Sequence, residues 1–224
     1  SQLKAWIDLN NFDKVLMNVL SNAFKYTPEG GKIQVSLSIG RDVSCKDALQ
    51  NFFEIVVTDS GIGIDKDKIA VMGSSAGGHL AASVSVHYDK KMYEDTDEID
   101  KESCKPDATI LCYPVIDMFE YRHDGSRKNL IGERALHSDK ELMSLYKHVT
   151  PNTPPTFIWH TSSDQAVPVE NSLMYADALS KVQVPYEMHI YPIGSHGLGL
   201  ADSMPHVAQW KDSLEKWIKL NDLI

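Results

Sequence analysis

From residue 68 onward, strand-like and helix-like stretches alternate along the chain, and this alternation limits the fold more than any other feature. Lys68 to Met72 reads as a short buried strand, and His79 to His87 as the start of a helix. Asp107 to Val115 reads as a strand. Thr156 to His160 is a strand followed by a helix from Val169 to Val182, and Tyr186 to Pro192 is a strand followed by a helix from Pro205 to Leu220. Strands separated by helices are joined by right-handed crossovers into a parallel sheet with helices on both faces, so the fold class is α/β. Tyr121 to Val149 is longer than such a crossover requires and is expected to form a small helical insertion over the sheet edge.

The chain before residue 66 has another texture. Lys4 to Leu9 is a strand candidate. Asn11-Phe12-Asp13 offers capping side chains for a helix to Tyr26, in which Val15, Leu16, Val19, Leu20 and Ala23 keep helical spacing. Thr27-Pro28-Glu29-Gly30-Gly31 ends that helix, and two strands follow, Lys32 to Ile39 and Phe52 to Thr58. At 224 residues the chain suits one ordinary domain or two small ones.

Acidic residues outnumber basic ones by 31 to 22. That balance argues against nucleic-acid or anionic-membrane binding, both of which need clustered Lys and Arg. No apolar run approaches the ~20 residues of a membrane helix. The opening Ser1-Gln2-Leu3-Lys4 lacks the apolar stretch of a secretory signal. Cys45, Cys104 and Cys112 show no metal-ligand spacing and read as reduced thiols. The expectation is a cytoplasmic protein that meets small molecules.

Gly73-Ser74-Ser75-Ala76-Gly77 fits G-x-S-x-G and falls between a predicted strand and a predicted helix. The glycines would let strand and helix approach in a strained turn that exposes the Ser75 hydroxyl. The Ala76 N–H, at the head of the helix, would face a developing oxyanion. A serine nucleophile needs a base, and the base an orienting acid. Asp164 follows the strand Thr156 to His160, and His196 follows the strand ending at Pro192. Both lie beyond the carboxyl ends of parallel strands, where open α/β sheets build their sites. The segment from 67 to 224 resembles the acetyl-esterase and xylan-esterase-like branch of the α/β-hydrolases. The resemblance is carried by Gly73 to Ala82, Tyr113-Pro114-Val115-Ile116, His160-Thr161-Ser162-Ser163-Asp164 with Val167-Pro168, and Ser195 to Leu200. It implies Ser75 as nucleophile, His196 as general base, Asp164 as orienting acid and a short-acyl or acetylated-sugar ester as substrate, with no cofactor. His79 matches a position of that family on the elbow helix, but packing rather than catalysis is expected of it, and His160 and Ser163 are expected to be structural. Such hydrolases carry a His-Gly-Gly loop before the elbow that completes the oxyanion hole, and nothing here matches it, so activity is expected to be impaired.

In the upstream segment, Asn18 and Asn22 stand four apart on one helix face, with Lys25 following. Asp59-Ser60-Gly61-Ile62-Gly63 could aim a carboxylate at an amine-bearing ring while Gly61 and Gly63 let backbone approach a ligand. Together they resemble the ATP-binding domain of sensor histidine kinases, an α/β sandwich. The resemblance implies Asn22 as the Mg-linked asparagine, Asp59 as adenine reader, and ATP as ligand of residues 1 to 66. That family's lid and second glycine box do not follow. Gly197-Leu198-Gly199-Leu200 only mimics the latter. The two resemblances meet at Asp65-Lys66-Asp67-Lys68-Ile69 without a linker. This points to a chimera, engineered, recombined or misassembled, with a natural reading frame as the alternative. Kinase-like strands are expected to cover the open edge of the hydrolase sheet.

Overall fold

The computed structural model describes residues 20–42, 50–60, 69–90 and 101–223, with side chains omitted at 37–42 and 50–56. The chain divides into two compact units, Ser1–Asp65 and Lys66–Ile224.

The first unit contains a helix, α1 (residues 20–26), and two antiparallel strands, β1 (Ile33–Asp42) and β2 (Gln50–Asp59), in register from Ile33 opposite Asp59 to Asp42 opposite Gln50. Both strands extend beyond the ranges read from sequence. Ser60 continues the pairing, accepting a hydrogen bond from Lys32 N at its Oγ and donating its own N–H to Lys32 O. The expected strand Lys4 to Leu9 and the first part of the helix lie outside the described residues.

The second unit is built on a parallel sheet of β3 (Ala70–Ser74), β4 (Ala108–Cys112), β5 (Thr156–Thr161) and β6 (Tyr186–Tyr191), in that order. Its helices are α2 (Ala76–His87), α3 (Asp124–Ile131), α4 (His137–Met143), α5 (Glu170–Lys181), α6 (Pro205–Ala208) and α7 (Trp210–Leu220). Every residue of β4 and β5 is buried, as expected of central parallel strands covered on both faces. Their side chains alternate between two cores. Leu111 and Ile158 join Ala82 of α2 with Tyr175 and Leu179 of α5. Ile110, Phe157 and Trp159 join Val207, Trp210 and Trp217 on the other side. Trp159 and Trp210 stack with ring centroids 5.2 Å apart.

β1 and β2 form a two-stranded sheet. Among the described residues of the second unit β3 pairs only with β4, and it exposes Met72. Two expectations need correction. The insertion between β4 and β5 does not lie over an edge. Its 3-10 turn, Leu145–His148, packs on α2 and α5 and puts Leu145 into the first core. The predicted single helix from Pro205 to Leu220 is two, α6 and α7, meeting at Gln209.

One buried side chain fastens the loop after β4. Asn171 Oδ1 accepts from Ile116 N at 2.7 Å and Asp117 N at 2.8 Å, while its Nδ2 donates to Tyr121 O and Pro168 O. Asn171→Leu keeps the branched shape but strands three backbone groups, Ile116 N, Asp117 N and Tyr121 O, while Pro168 O keeps its hydrogen bond from Asn171 N. Each buried orphan costs about 1–3 kcal/mol, so the unfolding midpoint in urea should fall sharply, with a loss above roughly 3 kcal/mol.

Candidate active site

Ser75 sits between β3 and α2 with φ 55° and ψ −121°, a conformation that L residues rarely adopt. Such a backbone costs of order 1–3 kcal/mol and persists only where neighbours hold it. Here three hydrogen bonds do so. Ser75 N donates to Cys112 O at 3.0 Å, and Ser75 O accepts from His79 N and Val115 N. The glycines divide the work differently from what the motif implies. A Cβ at Gly73 would lie 2.0 Å from Gly77 O, and one at Gly78 would lie 2.7 Å from Pro114 Cβ, whereas one at Gly77 meets nothing within 4 Å among the described residues. The close approach of strand, helix and β4 loop therefore depends on Gly73 and Gly78.

The Ser75 hydroxyl points at His196. Ser75 Oγ and His196 Nε2 are 2.7 Å apart, and His196 Nδ1 lies 2.6 Å from Asp164 Oδ2. A carboxylate only accepts, so Nδ1 carries the proton and Nε2 offers its lone pair to the serine O–H. Asp164 is nearly enclosed, and Ala166 N and Val167 N donate to its Oδ1 at 2.9 and 3.0 Å. Burial alone would push this carboxyl up. The donors Val167 N, His196 and Ala166 N outweigh it and hold Asp164 below its ordinary value. Ala76 opens α2, so its N–H has no acceptor within the helix and is free for a ligand.

The loops bearing acid and base are stitched together. Thr161 Oγ1 and Ser163 Oγ both donate to Gly194 O, and Gly194 N donates to Ser163 Oγ at 2.9 Å. Gly197 and Gly199 take φ values of 81° and 57°, so the stretch that mimics a glycine box is the turn that carries His196 back toward the sheet.

Two neighbours were not singled out from sequence. Tyr113, at φ 38°, sets its ring edge-on to His196 at 5.2 Å, and its hydroxyl accepts from Gly199 N. His123, the cap of α3, lies parallel to the His196 ring at 6.5 Å and accepts from Ser126 N at Nδ1. Tyr113 belongs to the Tyr-Pro-Val-Ile stretch, but only its left-handed backbone reveals the contact. His123 had no local signal.

His79 is buried behind the elbow, with Nδ1 3.2 Å from Val115 O and, among the described residues, no partner at Nε2. Burial lowers its pKa from 6.5 to about 4, against the Val115 hydrogen bond. The folded state thus keeps His79 neutral where the unfolded chain would protonate it. Its contribution to stability is complete above pH 6.5 and is lost as pH falls toward 4, by roughly 3 kcal/mol in all. Urea denaturation should show stability dropping over that window, and His79→Asn, which keeps a donor near Val115 O, should flatten the drop.

The nucleotide candidates are described only in part. Asn22, Lys25 and Asp59 are exposed, and the Lys25 ammonium lies over the Tyr26 ring at 5.0 Å. Asn18, Gly61 and Gly63 lie outside the described residues. Among the described residues, no group of three His, Cys, Asp or Glu is placed to hold a metal ion, and no helix is long and apolar enough to cross a membrane. A cavity of about 1150 Å³ opens among Ile69, Asp107, Thr153 and Val184, at the amino ends of the strands and so at the opposite end of the sheet from Ser75.

A parallel sheet whose strand-to-helix elbow presents a strained serine, with a carboxylate and an imidazole at the ends of later strands, defines the α/β-hydrolase class. The family model described as BD-FAE matches residues 46–179, which include Ser75 and Asp164, and the chain belongs to that family of esterase-like hydrolases. The chain is similar to the solved acetyl ester-xyloside bifunctional hydrolase from Caldicellulosiruptor lactoaceticus, at 47% identity and a TM-score of 0.69, covering 72% of this chain and 59% of that one. It is 41% identical over 143 residues to endo-1,4-beta-xylanase B of Butyrivibrio fibrisolvens, covering 64% of this chain and 22% of the xylanase. This chain therefore spans only part of either relative. A 65-residue stretch is 37% identical to the sensor histidine kinase TmoS of Ectopseudomonas mendocina, 29% of this chain and 6% of that one.

Proposed function

We propose that this chain is a serine carboxylic-ester hydrolase for short acyl esters, acetylated sugars among them. The unbroken line from Ser75 Oγ through the His196 ring to Asp164 Oδ2 carries this reading. His196 Nε2 takes the serine proton as Oγ attacks the ester carbonyl carbon. The tetrahedral oxyanion accepts a hydrogen bond from Ala76 N–H. The imidazolium, steadied by Asp164, returns the proton to the leaving alkoxide. Water then repeats the sequence on the acyl-serine and releases the acid. An acetyl ester-xyloside hydrolase and a xylanase among the relatives support an acetylated sugar as the substrate. An alkyl fluorophosphonate probe tests the assignment, because it labels an activated serine without needing efficient turnover. Mass spectrometry should place the adduct on Ser75, and an adduct elsewhere, or none, would overturn the reading.

The kinase likeness supports a second reading for residues 1–66, contact with ATP and Mg through Asn22 and Asp59. Both are exposed, and no lid sequence follows to enclose a triphosphate, so binding should be weak. Tight binding of a fluorescent ATP analogue, lost in Asp59→Asn, would contradict that expectation.

A further inference from the structure

Behind Asp164, on the side away from His196, stands a second imidazole that the proposed reaction does not use. His160, the fifth residue of β5, is completely buried. Its Nε2 lies 3.0 Å from Val167 O, a group that only accepts, so Nε2 carries the ring proton. Its Nδ1 is 2.8 Å from Ser172 Oγ, and the ring can accept there only if the serine donates. Burial lowers the pKa of His160 despite the attraction of Asp164, so the ring is neutral and its tautomer is fixed from both ends. The same Nε2 edge is 3.3 Å from Asp164 Oδ2, the oxygen that accepts from His196.

Two routes therefore run from His160 to the carboxylate. One is direct, the N–H dipole beside Oδ2. The other passes through a peptide: His160 holds Val167 O, and Val167 N holds Asp164 Oδ1. Ser172 belongs to α5, which packs on the sheet, so the whole device is anchored in the core rather than in the loops. We infer that His160 is a positioning residue, which fixes the rotation of the Asp164 carboxylate so that Oδ2 faces His196 Nδ1, with Ser172 setting its tautomer. This rests on the reading of Ser75, His196 and Asp164 proposed above. The groups facing the His196–Asp164 pair are Ser75 from the elbow, Tyr113 from the end of β4, His123 from the cap of α3 and His160 from β5. Of these, only His160 touches the carboxylate.

The test uses the whole chain in three variants. His160→Leu removes the donor and keeps the bulk. His160→Gln keeps an amide N–H near the position of Nε2. Ser172→Ala removes one of the two hydrogen bonds that hold the ring and its tautomer. Two readouts are taken on each, after circular dichroism shows that it folds. One is the rate of Ser75 labelling by the fluorophosphonate. The other is the low-field proton resonance of His196 Nδ1–H, identified by its disappearance in His196→Ala and visible whether or not the protein turns over substrate. Labelling should slow roughly tenfold in His160→Leu, the usual scale for a lost hydrogen bond to a charged group. The resonance should move or broaden, His160→Gln should restore most of both, and Ser172→Ala should fall between. If His160→Leu folds and leaves both readouts unchanged, or if His160→Gln is as impaired as His160→Leu, the residue only fills space and the inference fails. If Ser75→Ala is still labelled at the parent rate, the underlying assignment fails instead. If His160→Leu does not fold, the resonance in the other two variants decides: it must stay near the parent position in His160→Gln and be displaced in Ser172→Ala, and any other pattern overturns the inference.

Discussion

Ser75→Ala should abolish ester hydrolysis by this chain, lowering kcat by at least roughly 10³-fold, while Ser74→Ala should leave it within about twofold. The two serines are adjacent and chemically alike, so the contrast isolates geometry. Ser74 is the last residue of β3 and is exposed. Ser75 has left the strand, is held at positive φ, and sets its Oγ 2.7 Å from an imidazole whose other nitrogen faces a carboxylate. On the proposed mechanism Ser75, and not Ser74, loses its proton as it attacks, beside a helix N-terminus that faces the oxygen that becomes negative. The substitution removes one oxygen from a half-buried position and leaves the backbone restraints in place, so the variant should fold. Initial rates on p-nitrophenyl acetate, beside the reaction without protein, make the measurement. Parent-like hydrolysis by Ser75→Ala would mean that some other group is the nucleophile.

A second large effect concerns folding. Gly73→Ala should cost more than about 3 kcal/mol, whereas Gly77→Ala should be neutral or slightly stabilising. The Cβ added at Gly73 would lie 2.0 Å from Gly77 O and 2.3 Å from Gly77 C. These are backbone atoms in the first turn of α2, so no side chain can swing aside, and relief requires the helix to lift off the strand. Gly77 has open space where a Cβ would go and lies within a helix, where alanine is the better former. Urea unfolding of both variants tests the pair. Equal losses would show that the elbow glycines are interchangeable, as the G-x-S-x-G pattern treats them.

That pair marks where sequence reading stopped. The pattern identifies Ser75 because the chemistry demands a serine at a strand-to-helix turn, but it weighs both glycines alike. Which one touches its neighbour depends on how α2 crosses β3, and a pentapeptide does not encode that. Asp164 and His196 were legible because each follows a strand, and parallel strands deliver such residues to one end of the sheet. Tyr113 and His123 were not, since their places beside His196 come from a left-handed residue and from a distant helix cap. The order of strands and helices was readable from hydrophobic pattern. The place of Leu145 in the core was not, because a short 3-10 turn carries no period that distinguishes it from a surface loop. In the first unit apolar spacing and turn residues pointed to the helix and the two strands, while Asn18, Gly61 and Gly63 of the kinase-like motif lie beyond the described residues.

The stitching of Gly194 to Thr161 and Ser163 has a mechanical consequence. Thermal motion cannot easily separate the carboxylate from the imidazole, because Gly194 ties the segments bearing them by three hydrogen bonds and Ser162 Oγ adds a fourth to Pro192 O, so they swing as one body. The compliant joint is then the single 2.7 Å contact between that body and the serine. Warming should misalign the elbow with respect to an intact His196–Asp164 couple well before the couple itself comes apart.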